Sequence, residues 1–244
     1  MQQGIYSDFP LKRLFKYEWA RLWRTDSIIL SAIFFIIILG VGYGASFAGN
    51  SAAGVVMISS GMPSLGRLFT VFFVILSLGG DYSQGTFRKR LISGYGRVDI
   101  LFSTFWMLIQ GVIIFVILAF VGLFIAQIAT NNNQLDYFTG SKLMNLMLIQ
   151  LVHGSLAVLL ISVIQRTGIA ILIYFVIGLV EGGFAIYFIV KLQDPGLSIL
   201  LPLNGSEMYT SLPDDAAFWK YIPTPAYVFL FFLISWFKIK NAEF

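Results

Sequence analysis

Residues 100–129 read ILFSTFWMLIQGVIIFVILAFVGLFIAQIA, an unbroken run without one charged side chain. A spanning helix needs roughly 20 mostly apolar residues, so this stretch is expected to tilt or to run past the bilayer. Working outward, residues 28–47, 63–78, 143–164, 168–190 and 222–237 qualify or nearly qualify, with 63–78 and 222–237 the short ones. Hydrophobic residues make up 58% of the chain and charged residues 11%, against about 25% charged in a soluble domain. With a mean hydropathy of +0.84, most of the chain must meet lipid. The expected fold is all-α: a polytopic membrane protein with six transmembrane helices, residues 1–244 forming a single transmembrane domain with short loops and no separate soluble domain. The first span follows a basic segment, as a secretory signal does. Its apolar part exceeds the usual length of about 7–15 residues and no small-residue cleavage site ends it, so it reads as a retained helix.

The absence of Cys excludes disulfides and thiol nucleophiles, and a single His leaves zinc few ligands. No P-loop, H-E-x-x-H or G-x-S-x-G pattern occurs. Nothing in the chain argues for an enzyme, a metal site, a bound cofactor or nucleic-acid binding.

Cation placement sets the orientation. With both termini cytoplasmic, the inner segments hold Lys12, Arg13, Lys16, Arg21, Arg24, Arg88, Lys89, Arg90, Arg97, Arg166, Lys238 and Lys240. The outer ones hold Lys142, Lys191 and Lys220, beside Asp136, Asp194, Glu207, Asp214 and Asp215. An odd number of crossings would destroy this asymmetry.

Three segments outside the spans carry information. In 8–25, Leu11, Leu14, Phe15, Trp19, Leu22 and Trp23 form one helical stripe, with Asp8 as N-cap and Pro10 in the first turn. This is the pattern of an amphipathic helix lying in the interface, with a basic flank to the first span as the plainer alternative. Residues 81–99, DYSQGTFRKRLISGYGRVD, form the longest cytoplasmic connection, either a short helix needing packing support or a solvated basic loop. Residues 191–221 hold Pro195, Pro202, Pro213 and the apolar run 197–203. They suit an outer re-entrant or surface-lying element, or a structured loop.

Arg67 and Glu181 fall within spans at similar depth. A charge there normally has a partner, and an Arg67–Glu181 pair is expected, with snorkelling of Arg67 and a polar cavity around Glu181 as alternatives. Gln110, Gln150 and His153 are expected to make interhelical hydrogen bonds, a proton relay through the lone His being the sharper alternative. Gly40/Gly44 and Gly178/Gly182 are GxxxG patterns that suit close helix packing, including dimer packing.

The stretch 81–105 resembles the loop between the second and third spans of ABC-2 type (type V exporter-like) ABC transporter permeases. The matching residues are Asp81, Tyr82, Gly85, Thr86, Arg88, Leu91, Ile92, Ser93, Gly94 and Arg97. The acid here is Asp81 where Glu is usual. The resemblance implies the permease subunit of an exporter in a bacterial cytoplasmic membrane. It implies two partners, a separate cytoplasmic ABC ATPase that binds ATP and Mg, and a second permease copy or homologue meeting spans one and five. Membrane lipids surround the chain. A coupling helix within 81–94 would dock on the ATPase, with ATPase coupling assigned to Asp81, Tyr82, Gly85, Thr86, Arg88, Arg90, Leu91 and Arg97. Two other functions stay open: a non-transporting immunity or sensory subunit, and an ion-coupled secondary transporter.

Overall fold

The computed structural model describes residues 19–20, 23–48, 52–131, 140–192, 201–203 and 223–241. Among them the regular structure is helical, with no strand. The helices are α1 (Thr25–Phe47), α2 (Ala52–Ser83), α3 (Thr86–Ile92), α4 (Arg97–Thr130), α5 (Gly140–Ile164), α6 (Thr167–Val190) and α7 (Pro223–Asn241). Five of them, α1, α2, α4, α5 and α6, are long and apolar enough to cross a membrane. The sixth crossing expected over 222–237 corresponds to α7, a 19-residue helix with Lys238 and Lys240 in its last turn, which is not among those five.

The second span differs most from its expected bounds. Instead of 63–78, α2 runs for 32 residues with Pro63 inside it, about 48 Å at 1.5 Å per residue. Its first turns carry Ser59 and Ser60, whose hydroxyls donate to the Val56 carbonyl at 3.4 and 2.6 Å. Such bonds satisfy the hydroxyls locally where lipid offers no partner. At the other end α2 continues through Asp81, Tyr82 and Ser83, so these residues close a spanning helix. The α4 helix has 34 residues, about 51 Å, and overruns a hydrocarbon core of about 30 Å.

Lipid supplies no hydrophobic drive between helices, so packing depends on close fit and buried polar contacts. The molecule follows that rule. Of the crossing stretch of α5, 72% is buried, against 22% of that of α6 and 28% of that of α1. Buried polar residues include Thr70, Ser103, Thr104, Gln150, His153, Ser155 and Ser162, while the exposed faces of α1, α4 and α6 carry Ile, Leu, Val and Phe. The α5 helix packs against α2, α7, α6 and α4, and α2 against α1, α4, α5 and α6. Phe69 of α2 joins three helices, with ring centroids 5.3 Å from Phe34 of α1 and 5.7 Å from Phe115 of α4.

Apart from Gly44, the glycines that seat these helices lie outside the GxxxG pairs. A Cβ on Gly66 would come within 2.9 Å of Phe115 and 3.1 Å of Gln150. One on Gly122 would meet Ile38 at 2.6 Å, and one on Gly42 would meet Ala126 at 2.7 Å. Gly44 packs α1 on α2, with Met57 2.9 Å from an added Cβ, whereas Gly40, Gly178 and Gly182 face nothing within 4 Å.

Of the interfacial helix expected over 8–25, residues 8–18 and 21–22 lie outside the described residues. Trp19 and Trp23 are largely exposed. Of the outer element expected over 191–221, residues 193–200 and 204–221 also lie outside them.

Candidate functional site

Two polar clusters stand out, each built where a segment that does not span meets the bundle. The first lies at the α2–α4 junction. Gly85 takes a left-handed conformation (φ 63°) between α2 and α3, which costs a glycine little. The seven-residue α3 follows. Gly94 (φ 89°) turns the chain back, and Asp99 Oδ2 accepts the Gly96 N–H at 2.8 Å to open α4. Seven residues are too few for a helix stable on its own, so side chains must hold α3. Its inner face supplies Phe87 and Arg90, both buried. Phe87 packs on Tyr82 with centroids 4.4 Å apart.

Arg90 is the anchor. Its Nη2 lies 3.6 Å from Asp81 Oδ2, its Nη1 donates to Ser103 Oγ at 3.0 Å, and its guanidinium sits 5.9 Å from the Phe87 ring centroid. Asp81 is 1% exposed and also faces Arg24, with Nη1 3.9 Å from Oδ1. One carboxylate thus ties together the start of α1, the last turn of α2 and α3, while Ser103 extends the tie to α4. Arg97, at the start of α4, donates to the Ile239 carbonyl of α7 at 3.4 Å. The outer face of α3 is different: Arg88 and Lys89 are exposed, and Ile92 is 77% exposed. Arg88 and Ile92 are four apart and share that face.

The expected coupling residues therefore separate. Arg88 projects outward. Asp81, Arg90 and half-buried Tyr82 face inward, with Gly85, Thr86, Leu91 and Arg97 between these extremes. Arg24, Ser103 and Ile92 belong to this cluster although sequence reasoning did not assign them to the site. Spacing of charged and apolar residues over 88–92 was the signal available for Ile92, and no sequence signal marks Ser103.

The second cluster lies at membrane depth. Glu181 Oε2 accepts the N–H of buried Leu203 at 2.8 Å, and His153 bonds the Leu203 backbone. His153 Nδ1 is 2.7 Å from the Tyr174 hydroxyl. Arg67 and Glu181, expected to pair, both act electrostatically on that hydroxyl. The chain at 201–203 is thus held against the bundle, where a helical turn includes 202–203 and the free N–H groups of a first turn need protein partners because lipid offers none. Beside it Thr70 Oγ1 donates to Gln150 Oε1 at 2.9 Å, and Gln150 Nε2 donates to the Leu146 carbonyl at 3.2 Å. Gln150 and His153 make the expected contacts between helices. Gln110 does not: it is buried and both its amide atoms lack a partner among the described residues. The structure offers no physical reason for that.

Among the described residues no group of three or more His, Asp or Glu side chains gathers that could hold a metal ion. The chain matches no protein-family model and no curated protein sequence.

Proposed function

We propose that this chain is the membrane-spanning subunit of an ABC transporter of the ABC-2 permease kind, an exporter driven by a separate cytoplasmic ATPase that carries ATP and Mg. The observation that carries this reading is α3: a short helix at the basic end of the bundle, braced inside by Asp81, Phe87 and Arg90 and presenting Arg88, Lys89 and Ile92 outward. An exposed isoleucine beside two cations, on a helix that cannot stand alone, suits insertion into a groove of a partner protein.

The proposed arrangement has six crossings, counting α7, and both termini in the cytoplasm of a bacterial cell. Cations at Arg24, Arg88, Lys89, Arg97, Lys238 and Lys240 then share one side. A second permease copy would meet the open faces of α1 and α6, where Gly40, Gly178 and Gly182 leave room for close approach. In this reading Asp81, Arg24, Arg90 and Ser103 are positioning residues that make α1, α2, α3 and α4 follow one displacement, a rigid-body route from ATPase closure to the spans.

The test is a mild-detergent pull-down of the tagged chain with ATPase assay and subunit identification. A co-purifying P-loop ATPase that is lost in the triple variant Arg88→Glu, Lys89→Glu, Ile92→Asp is the expected result. Recovery of the chain with no ATPase, or an ATPase indifferent to the triple variant, would overturn the proposal.

A further inference from the structure

Leu203 is 3% exposed and belongs to the hydrophobic core, and both of its backbone polar groups meet side chains of the bundle. Its N–H donates to Glu181 Oε2 at 2.8 Å, which leaves its carbonyl as the group that His153 bonds. A carbonyl only accepts, so the imidazole donates to it. The other ring nitrogen, Nδ1, lies 2.7 Å from the Tyr174 hydroxyl. Neither hydrogen-bond partner of the ring is an anion, and a buried charge without one is costly, so the ring is neutral. A neutral imidazole has one donor nitrogen and one acceptor. With Nε2–H given to the Leu203 carbonyl, Nδ1 is bare and accepts the Tyr174 O–H.

The neighbouring charge agrees with that direction. Arg67 acts on the Tyr174 hydroxyl, and a guanidinium draws the phenolic oxygen toward itself and turns the proton away, toward His153. The bonds therefore run head to tail, from Tyr174 through His153 and the two backbone groups of Leu203 to the Glu181 carboxylate. Tyr174 and Glu181 are seven residues apart, two turns along one face of α6. The chain of bonds thus leaves α6, crosses α5 and the 201–203 segment, and returns to α6. Bonds linked in this way polarise one another, so the loss of one weakens the rest. Turning the ring over would set acceptor against acceptor at the carbonyl.

We infer that Tyr174, His153 and Glu181 form one directed clamp on Leu203, which fixes His153 as the Nε2–H tautomer and releases the 201–203 segment only as a unit. Tyr174 is a positioning residue in this clamp, acting on Leu203 through His153. The inference does not depend on the transport reading.

The test exploits a chain with one His and no Cys. The full chain, purified on a tag without histidine, is isotope-labelled in the imidazole nitrogens and studied by NMR in nanodiscs at neutral pH, where the ring signals belong to His153 alone. The expected result is a single pair of signals, protonated at Nε2 and bare at Nδ1, with the Nδ1 signal shifted when Tyr174→Phe takes its donor away. In the second arm Leu201→Cys reports release through its rate of maleimide labelling. Tyr174→Phe should raise that rate about fivefold or more. Glu181→Leu alone and Glu181→Leu with Tyr174→Phe should label within about twofold of each other. The ring signals come from the unsubstituted protein, so they decide the direction of the clamp even if a variant fails to fold. Protonation at Nδ1, a mixture of tautomers, an imidazolium, a labelling rate indifferent to Tyr174→Phe, or single effects that multiply in the double variant would each overturn the inference.

Discussion

Replacing Asp81 with Asn keeps the shape of the side chain and removes the charge that Arg24 and Arg90 share. At an effective dielectric of about 20, a charge pair at 3.6 or 3.9 Å attracts with about 4–5 kcal/mol before desolvation is counted. The two arms do not count equally. The Arg24 side chain is 32% exposed, so water screens it and its loss costs about 1 kcal/mol or less. Arg90 and Asp81 have side-chain exposures of 8% and 2%. Removing one partner there leaves a buried, uncompensated guanidinium, which costs about 3–5 kcal/mol. Ser103 still accepts one bond from Arg90 and holds the expected loss near the lower figure.

The assay is amide hydrogen exchange of the 86–92 segment in nanodiscs, read by mass spectrometry, because local opening of α3 is what this free energy restrains. A loss of about 3 kcal/mol corresponds to exchange on the order of a hundredfold faster. The change should be confined to α3 and the neighbouring turns, with the centres of α2 and α5 unchanged. Adding Arg90→Met to Asp81→Asn should recover part of the loss, since the stranded charge is gone. Exchange in Asp81→Asn within about threefold of wild type, or a double variant whose loss is the plain sum of the single ones, would refute the claim that this ion pair fastens α3.

Three further outcomes are expected. The chain has no Cys, so a cysteine placed at Leu201 reports on its own: Glu181→Leu should orphan the Leu203 N–H, cost about 1–3 kcal/mol and raise maleimide labelling at 201, whereas Glu181→Gln, which keeps an acceptor, should not. Gly66→Ala should cost about 1–3 kcal/mol by overpacking, because its Cβ meets Phe115 and Gln150; Gly178→Ala, facing open space, should leave the melting temperature in detergent unchanged. Single cysteines at Ser93 and in the tail after Asn241 should be blocked by the same membrane-impermeant reagent from the same side, and opposite sidedness would rule out an even number of crossings between them.

The apolar runs announced the spanning helices because lipid imposes a simple composition on whatever faces it. The short α3 was less legible: its residues suited a short helix or a solvated basic loop alike, because what holds it is the burial of Phe87 and Arg90. The ends of helices were harder. Gly79 and Gly80 look like a helix stop before Asp81, yet α2 passes through them. Their bareness makes room for neighbouring side chains instead, since a Cβ on Gly80 would come within 3.1 Å of Arg24 Nη2. Likewise Ser59, Ser60, Gly61 and Pro63 look like loop, yet α2 runs through them, the serine hydroxyls turning back to the Val56 carbonyl. The packing glycines escaped notice because what matters is the partner each meets. No repeat along the chain says that Gly66 meets Gln150 or that Gly122 meets Ile38. Arg24 read as one more cation of the interface, and only the fold reveals that it faces a buried carboxylate.

The two polar clusters answer one physical problem at different depths. A segment that does not span the membrane cannot be held by lipid exclusion, and its backbone or charges need partners from the bundle. Asp81 supplies one at the junction, where it faces the guanidinium that roots α3. Glu181 supplies the other at membrane depth, where it accepts a backbone N–H of the outer element. A carboxylate suits both tasks because its oxygens accept from a guanidinium and from a backbone N–H alike. The division of helices follows. Asp81 and Ser103 gather α1, α2, α3 and α4, whereas Glu181, Tyr174 and His153 gather α5, α6 and residues 201–203. Between the two groups run the Thr70–Gln150 bond and the close seats at Gly66 and Gly154. The seam of α2 against α5 and α6 therefore joins the two groups by close packing at glycines and by polar contacts, Thr70 bonding Gln150 and Arg67 acting on Tyr174.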